Sequence, residues 1–335
     1  MLRHSSDSEP GYTRKRMGRY WAYFDGDKRV TDRDTIERLN SIALPPAYTD
    51  AWFCKDPEGH LQATGIDARG RKQYRYHPLF REQQECSKFD GLLEFGKALP
   101  KVRREVDKDL RRRSLTKEKV VAGVIRLLDD DYLRVGNREY AKENKSFGAT
   151  TLLSRQVQDD GRKVKMRFTG KSRVVHEVTI TDRTLRRLVR QLQDLPGQPL
   201  FQYMNGDGNP HPITSGDVNE YIREASGGEF TAKHFRTWGA SVLAFEQILN
   251  HEESKRISVN TMIEPVAEAL GNTVAMSRKA YVHPALIEAV KERPRDPLKG
   301  MDRPRARKWL SDCEVGLLHF LAKGAKRKPK PAAAP

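Results

Sequence analysis

The apolar positions of the chain change their period near residue 90. Before it, short runs such as WAYFDG (21–26) and AWFCKDPEGHLQATGIDARGRKQYRYH (51–77) are broken by Pro and Gly. They predict short strands, with one helix from about Asp32 to Asn40. The stretch LQATGIDARGRKQYRYH reads as two strands joined by a glycine-containing loop. From Phe89 the spacing becomes helical: Val120, Val121, Val124, Ile125 and Leu128 share one face, and Thr116 is placed to cap it. Residues 151–180 interrupt the helices with three strand-like runs, TLLSRQV, RKVKMRFT and RVVHEVTI, separated by DDG and GKS turns. In the middle run Val164, Met166 and Phe168 alternate with Lys163, Lys165 and Arg167, the period of a strand with one buried face. A three-stranded antiparallel meander follows, with Lys171 at the tip of its second hairpin. Helices return to about residue 293.

The expected fold is α+β. A flexible N-terminus (1–19) leads into a small antiparallel β-sheet domain (20–90) and a larger, mainly α-helical domain containing the β meander (91–295). A C-terminal extension (296–335) ends in KGAKRKPKPAAAP, whose cations and prolines leave little to bury and predict disorder.

Charge narrows the range of partners. Lys and Arg number 62 against 45 Asp and Glu, a formal net charge of +17 spread along the chain. That favours a polyanionic partner bound through salt-sensitive phosphate contacts. Charge alone also fits a basic soluble protein with no such partner. Cys54, Cys86 and Cys313 are odd in number and far apart with no CxxC pair, so neither a disulfide framework nor a zinc site is indicated. The opening MLRHSSDSEP has no apolar core for a signal peptide, and no stretch approaches membrane-spanning length. A cytoplasmic, nucleoid-associated protein is expected.

Several motifs lead nowhere. Gly170-Lys171-Ser172 imitates the end of a phosphate-binding loop, but position 165, where that loop needs glycine, is Lys, and the setting is a hairpin. No nucleotide is therefore expected. His251-Glu252 lacks a second histidine at helical spacing. Asp129, Asp130 and Asp131 point in different directions on a helix and read as a solvated face. KVRREVDKDLRRR (101–113) is mixed in sign and reads as a solvated helix or connector able to track DNA phosphates.

What remains is a set of cations and a tyrosine. Arg134 sits in YLRVGN where the helix over 118–134 runs out, and Lys171 is at the hairpin tip. Arg236, in AKHFRTWGAS, lies in the first turns of a helix capped by Thr231. Asn272 follows the helix-ending Gly271 in ALGNTVAMSRKAYVHP, and Tyr281 comes later in the same run. Side-chain cleavage of a phosphodiester needs a hydroxyl nucleophile that can leave again, and a phenol of pKa about 10 suits that. Two guanidiniums can clamp the non-bridging oxygens while a neutral donor adds a third contact. A lysine whose pKa is lowered by neighbouring arginines is a suitable acid for the departing oxygen. No metal or cofactor is required. Singly, each residue has a plainer reading: a core tyrosine, a capping asparagine, a surface arginine, a solvated lysine.

Together these residues resemble the poxvirus-type and bacterial branch of the type IB DNA topoisomerases, over about residues 20–290. RVTDRDTIERLNSIALPPAYTDAWFC and GIDARGRKQYRYHP resemble that family's small β domain. YLRVGNREYAKENKSFGATTL, FTGKSRVVHE, KHFRTWGAS and SRKAYVHP match its catalytic part in order and spacing. The resemblance implies that Arg134, Lys171 and Arg236 are catalytic cations, Asn272 the third transition-state contact and Tyr281 the nucleophile. The poxvirus enzymes carry His at the Asn272 place, and an amide can donate there equally. Transient single-strand cleavage through a 3′-phosphotyrosyl intermediate is implied, relaxing supercoils of either sign without ATP or metal. So is a monomer that closes its two domains as a clamp around duplex DNA. Gln73, Tyr74 and Tyr76 would reach the major groove and Lys233 would touch DNA near the site, although Tyr76 also reads as strand packing. A tyrosine recombinase shares this chemistry, but recombinases place His three residues before the second arginine, where this chain has Lys233, and carry a helical N-terminal domain. A silent DNA-binding protein on the same fold is the other alternative, and the complete residue set argues against it.

Overall fold

The N-terminal half of the architecture is a six-stranded antiparallel sheet in the order β3-β2-β1-β4-β5-β6. Its strands are β1 (Tyr12–Met17), β2 (Tyr20–Asp25), β3 (Lys28–Arg29), β4 (Thr49–Phe53), β5 (Leu61–Ile66) and β6 (Lys72–Tyr76). A single helix, α1 (Arg33–Ser41), starts where the Asp32 carboxylate accepts the Thr35 N–H. Tyr23, Leu39, Leu44, Ala51, Phe53 and Ala63 form the core beneath it. The structure is a computed structural model describing residues 2–18, 20–81, 89–252 and 255–325, and it separates into two compact units, Met1–Asp90 and Gly91–Pro335.

The segment expected to be a flexible N-terminus is part of this sheet. β1 has almost no apolar alternation, which is why the pattern failed to reveal it, yet it pairs with β2 on one side and β4 on the other. Its Arg14 lies over the Trp21 ring at 4.4 Å and donates to the carbonyls of Leu44, Pro45 and Tyr48. Backbone pairing and one half-buried cation thus do the work that apolar side chains do elsewhere. Upstream, Ser5 is buried and bonded to Leu61.

The second unit is mainly helical: α2 (Leu92–Leu110), α3 (Lys117–Asp130), α4 (Arg138–Asn144), α5 (Arg183–Gln193), α6 (Ser215–Ser226), α7 (Ala232–Leu249), α8 (Val259–Leu270), α9 (Val274–Ala280), α10 (Pro284–Glu292) and α11 (Asp312–Ala325). A three-stranded sheet of β7 (Val157–Asp159), β8 (Val164–Thr169) and β9 (Val175–Ile180) interrupts them, followed by a hairpin of β10 (Gln202–Met204) and β11 (Pro210–Pro212). Val164, Met166 and Phe168 are buried while Lys165 and Arg167 are exposed, as the period-two pattern requires. The first strand of the meander is shorter than its sequence suggests. Leu153 N–H donates to the Gln156 side chain, which turns the chain before Val157.

Two charged stretches, 101–113 and 129–131, are solvated only in part. Arg103, inside the run 101–113, is bound to Asp129 through both faces of its fork and to Glu314 as well. The helix after Thr116 also ends earlier than 134, because Asp131 leaves helical geometry and Tyr132 has φ +52°. The C-terminal extension contains α11, a packed helix with Val315 and Leu317 buried. The tail expected to be disordered lies, from residue 326 on, outside the described residues, as does Cys86. Cys54 and Cys313 are buried thiols. Among the described residues no helix is long and apolar enough to cross a membrane.

Candidate active site

The loop after α3 sets Arg134. Leu133 is buried beneath it, and on the far side Ala149 N–H donates to the Arg134 carbonyl at 2.8 Å and Thr150 N–H to that of Val135 at 2.7 Å. This strap runs so close that a Cβ on Gly148 would lie 2.5 Å from the Arg134 carbonyl oxygen. The same strap reaches the next cation, since Phe147 N–H donates to the Thr169 carbonyl at 2.8 Å, at the end of β8. There Gly170 N–H closes the hairpin on the Val174 carbonyl, and Ser172 and Arg173 take positive φ. Lys171 stands at this tip, exposed.

Arg236 lies in α7, only 4 % exposed. It donates to the carbonyls of Tyr132 and, at 3.0 Å, Leu270. One guanidinium therefore ties the end of α3 to the end of α8. At that second end Gly271 caps α8 in the left-handed conformation, φ +59°, and turns the chain into Asn272. Arg134 donates to Asn272 Oδ1 at 3.0 Å. Thr273 then caps α9, and Tyr281 closes that helix with its N–H on the Ser277 carbonyl. The Arg236 guanidinium carbon is 5.2 Å from the centre of the Tyr281 ring. Ser241 of α7 fastens the backbone here, donating to the Tyr281 carbonyl at 3.3 Å and accepting from His283 N–H at 3.1 Å.

The structure therefore brings Arg134, Arg236, Asn272 and Tyr281 into one cluster. Within it, Arg236 Nε and Asn272 Nδ2 are buried donors without an acceptor. A buried unmet donor costs about 1–3 kcal/mol, so two within one cluster are an arrangement for a ligand rich in acceptors. Electrostatics agree. Burial alone would raise the Tyr281 pKa, but the charges of Arg236 and Arg134 and their hydrogen bonds to the phenol outweigh it and hold it below the usual 10.0. Arg236 itself is brought down to about 10, first by burial and then by the repulsion of Arg134.

One residue at the site escaped the sequence argument. The His176 ring stacks on Phe168 at 5.4 Å between centroids. A Cβ on Gly170 would lie 2.6 Å from this ring, and one on Gly271 2.9 Å from it. His176 thus fills the gap between the Lys171 hairpin and the turn that presents Asn272. Burial, then the charges of Arg236 and Arg134, push its pKa below 6.5, so it is a neutral spacer at neutral pH. Two glycines pressed on one ring leave no periodic trace in a sequence.

Lys233 is exposed in the first turn of α7, one turn before Arg236. In the N-terminal unit, Tyr74 and Tyr76 are 47 % and 38 % exposed and stack at 6.2 Å on one face of the edge strand β6. Tyr76 also packs on Phe80. Gln73 does not join them: alternation turns it to the other face, where its amide donates to Asp67 Oδ2 at 3.0 Å.

Comparison with known proteins places the chain among relatives. Residues 77–301 match the family model described as eukaryotic DNA topoisomerase I, catalytic core, and residues 20–67 match bacterial DNA topoisomerase IB, N-terminal domain. The first match stops short of α11. DNA topoisomerase 1B of Acanthamoeba polyphaga mimivirus is 35% identical over 285 residues, covering 81% of this chain and 84% of that protein. DNA topoisomerase 1B of vaccinia virus (strain Copenhagen) is 22% identical over 278 residues, covering 78% and 84%. Among solved structures, the XerH site-specific recombinase bound to palindromic difH substrate aligns at 19% identity and TM-score 0.37, over 58% of this chain and 50% of that one.

Proposed function

The chain belongs to the type IB DNA topoisomerases, and within that family we propose that Tyr281 is its nucleophile, Arg134, Arg236 and Asn272 its transition-state clamp, and Lys171 its general acid. The observation that carries this reading is a phenol of lowered pKa in one cluster with two buried, unspent donors. In the forward step the phenol proton passes to water and Tyr281 Oη attacks a backbone phosphorus. The bond from phosphorus to the 5′-oxygen breaks, and Lys171 gives that oxygen a proton. A 3′-phosphotyrosyl ester and a 5′-hydroxyl remain. Arg134, Arg236 Nε and Asn272 Nδ2 meet the charge that builds on the non-bridging oxygens in both directions. Exchange of one phosphoester for another conserves the bond, so religation needs no ATP. Rotation of the free end about the intact strand then relaxes supercoils of either sign.

The hairpin carrying Lys171 is fixed at its base by His176 and the 147–150 strap, and a long side chain at its tip suits delivery of a proton to the leaving side. We place duplex DNA as the substrate of a monomer acting at the nucleoid, with Lys233 on phosphates beside the cut and Tyr74 and Tyr76 at the groove. Gln73 joins them only by giving up its bond to Asp67.

The test is a suicide DNA substrate in EDTA without nucleotide, with the adduct mapped by mass spectrometry. Tyr281 bonded to the 3′ end is the expected product, and Tyr281→Phe should still bind DNA but form no adduct. An adduct on another residue, or one that persists in Tyr281→Phe, refutes the assignment. Strand exchange between paired sites in place of plasmid relaxation would refute the reaction.

A further inference from the structure

Behind the cluster lies a buried charged network that the chemistry does not use. Arg103 of α2 spends every donor it has: Nε and Nη2 on Asp129 at 2.7 and 2.8 Å, Nη1 and Nη2 on Glu314 at 2.9 and 2.8 Å, and Nη1 also on the Trp309 carbonyl at 2.6 Å. Glu314, 6 % exposed, is equally committed. Beyond Arg103 it accepts from Trp238 Nε1 at 3.0 Å and from Ser311 N–H at 2.8 Å. Four helices meet here: α2, α3, α7 and α11.

What they share is the placement of the two arginines of the site. Asp129 is in the last turn of α3, immediately before the loop holding Tyr132 and Arg134. Tyr132 docks that loop on α7 twice. Its carbonyl accepts from Arg236, and its ring lies so close to Gly239 that a Cβ there would be 2.2 Å away. Trp238 is on α7 beside Arg236, and its ring presses on Gly96 of α2 equally closely. Arg103 therefore grips the end of α3, while Glu314 grips Arg103 and α7 together.

We propose that Arg103 and Glu314 are positioning residues: a bracket that sets the end of α3 against α7, and so Arg134 and Arg236 against each other, which makes α11 a working part of the catalytic unit. This rests on the proposed roles of Arg236 and Tyr281. A planar fork bound on two sides fixes an angle between its partners, which a greasy contact of the same volume does not. Apolar residues could hold these helices together as firmly. The bracket's distinctive contribution is therefore alignment, and alignment is read in the chemical step.

The experiment is Glu314→Gln, which keeps the volume and an acceptor for Trp238 but weakens the grip on Arg103. Single-turnover cleavage at saturating DNA is measured across pH 6–10, with DNA affinity and melting temperature alongside. The pH arm is informative because the charged groups lowering the Tyr281 pKa are Arg236 and Arg134, the two the bracket aligns; His176, facing the same arginines, stays neutral over most of that range. The expected result is a cleavage rate roughly tenfold lower at pH 7.5, a rate–pH curve displaced to higher pH, and affinity within about twofold. A rate–pH curve that superimposes on the unchanged chain's, whatever the melting temperature does, overturns the proposal. Should Glu314→Gln fail to fold, Trp238→Phe removes the hydrogen bond between α7 and α11, together with the indole's outer contact on Gly96, and should give the same displacement with a smaller drop in rate; no displacement there is equally fatal. If Tyr281→Phe still forms adducts, the underlying site assignment falls instead, so the two failures can be told apart.

Discussion

Asn272 follows the helix-ending Gly271 and faces Arg134. The structure shows both ends of its amide differently employed: Oδ1 takes the hydrogen bond from Arg134, and Nδ2 is buried and unspent. A neutral imidazole can do the same with one accepting and one donating nitrogen, whereas a protonated one has nothing to offer Arg134. Asn272→His should therefore cleave at close to the native rate above pH 7.5. It should lose rate only below the ordinary imidazole value of about 6.5, because the burial and arginine charges that lower His176 act on this imidazole too, and protonation then turns the acceptor into a donor facing a cation. The native amide does not titrate and should show no such acid limb from this position. Asn272→Ala, lacking the donor at any pH, should be slower by about 10²–10³-fold. Parallel rate–pH curves for Asn272→His and the native chain would mean that Asn272 does not touch Arg134 in the reacting state. His176 marks the limit of sequence reading at this scale, for its meaning lies in two distant glycines that make room for it.

At the scale of elements, period and capping were legible wherever a helix or strand buries one clean face. Thr116, Asp32 and the alternation in β8 all behave as their positions in the sequence require. What could not be read was an element held by polar means, β1, paired on both sides and anchored by Arg14; α11 has an apolar buried face and is additionally locked by Glu314. The strap 147–150 belongs with β1. It has no regular period, yet it spans the Arg134 loop and the Lys171 hairpin by backbone bonds to Arg134, Val135 and Thr169. Gly148 is there for closeness, since its backbone is extended (φ −146°) and any residue could adopt it. A Cβ in its place would meet backbone atoms of Arg134 and Gly136 that cannot step aside cheaply. Gly148→Ala should cost about 1–3 kcal/mol in chemical unfolding. It should slow single-turnover cleavage by more than tenfold at a temperature where the variant is fully folded, because the strap moves Arg134 and Lys171 apart. Native cleavage by a folded Gly148→Ala chain would show that the strap does not set their spacing.

For the whole molecule, the excess of 62 basic over 45 acidic residues has two separable consequences. Some cations are spent internally: Arg14 on carbonyls, Arg103 on carboxylates, Arg236 on the ends of two helices. Others, such as Lys171 and Lys233, stand exposed and are available to phosphates. Exposed charges act through counterion release and are screened by salt, while a buried, water-poor cluster is screened far less. Salt should therefore separate binding from chemistry. Raising monovalent salt from 50 to 200 mM should weaken DNA affinity by about 10³–10⁵-fold if some 6–10 phosphates are contacted. The cleavage rate inside the preformed complex should change by less than about twofold if, as proposed, Arg134, Arg236 and Asn272 meet the phosphate in that buried cluster. Tyr74→Ala should shift affinity without changing the salt slope, since a stacked phenol neutralises no phosphate, whereas Lys233→Ala should reduce that slope by about one unit. Affinity titrations at four salt concentrations, paired with single-turnover cleavage in each, decide the matter. A cleavage rate that falls with salt as steeply as affinity does would mean that the clamp is open to solvent in the reacting complex.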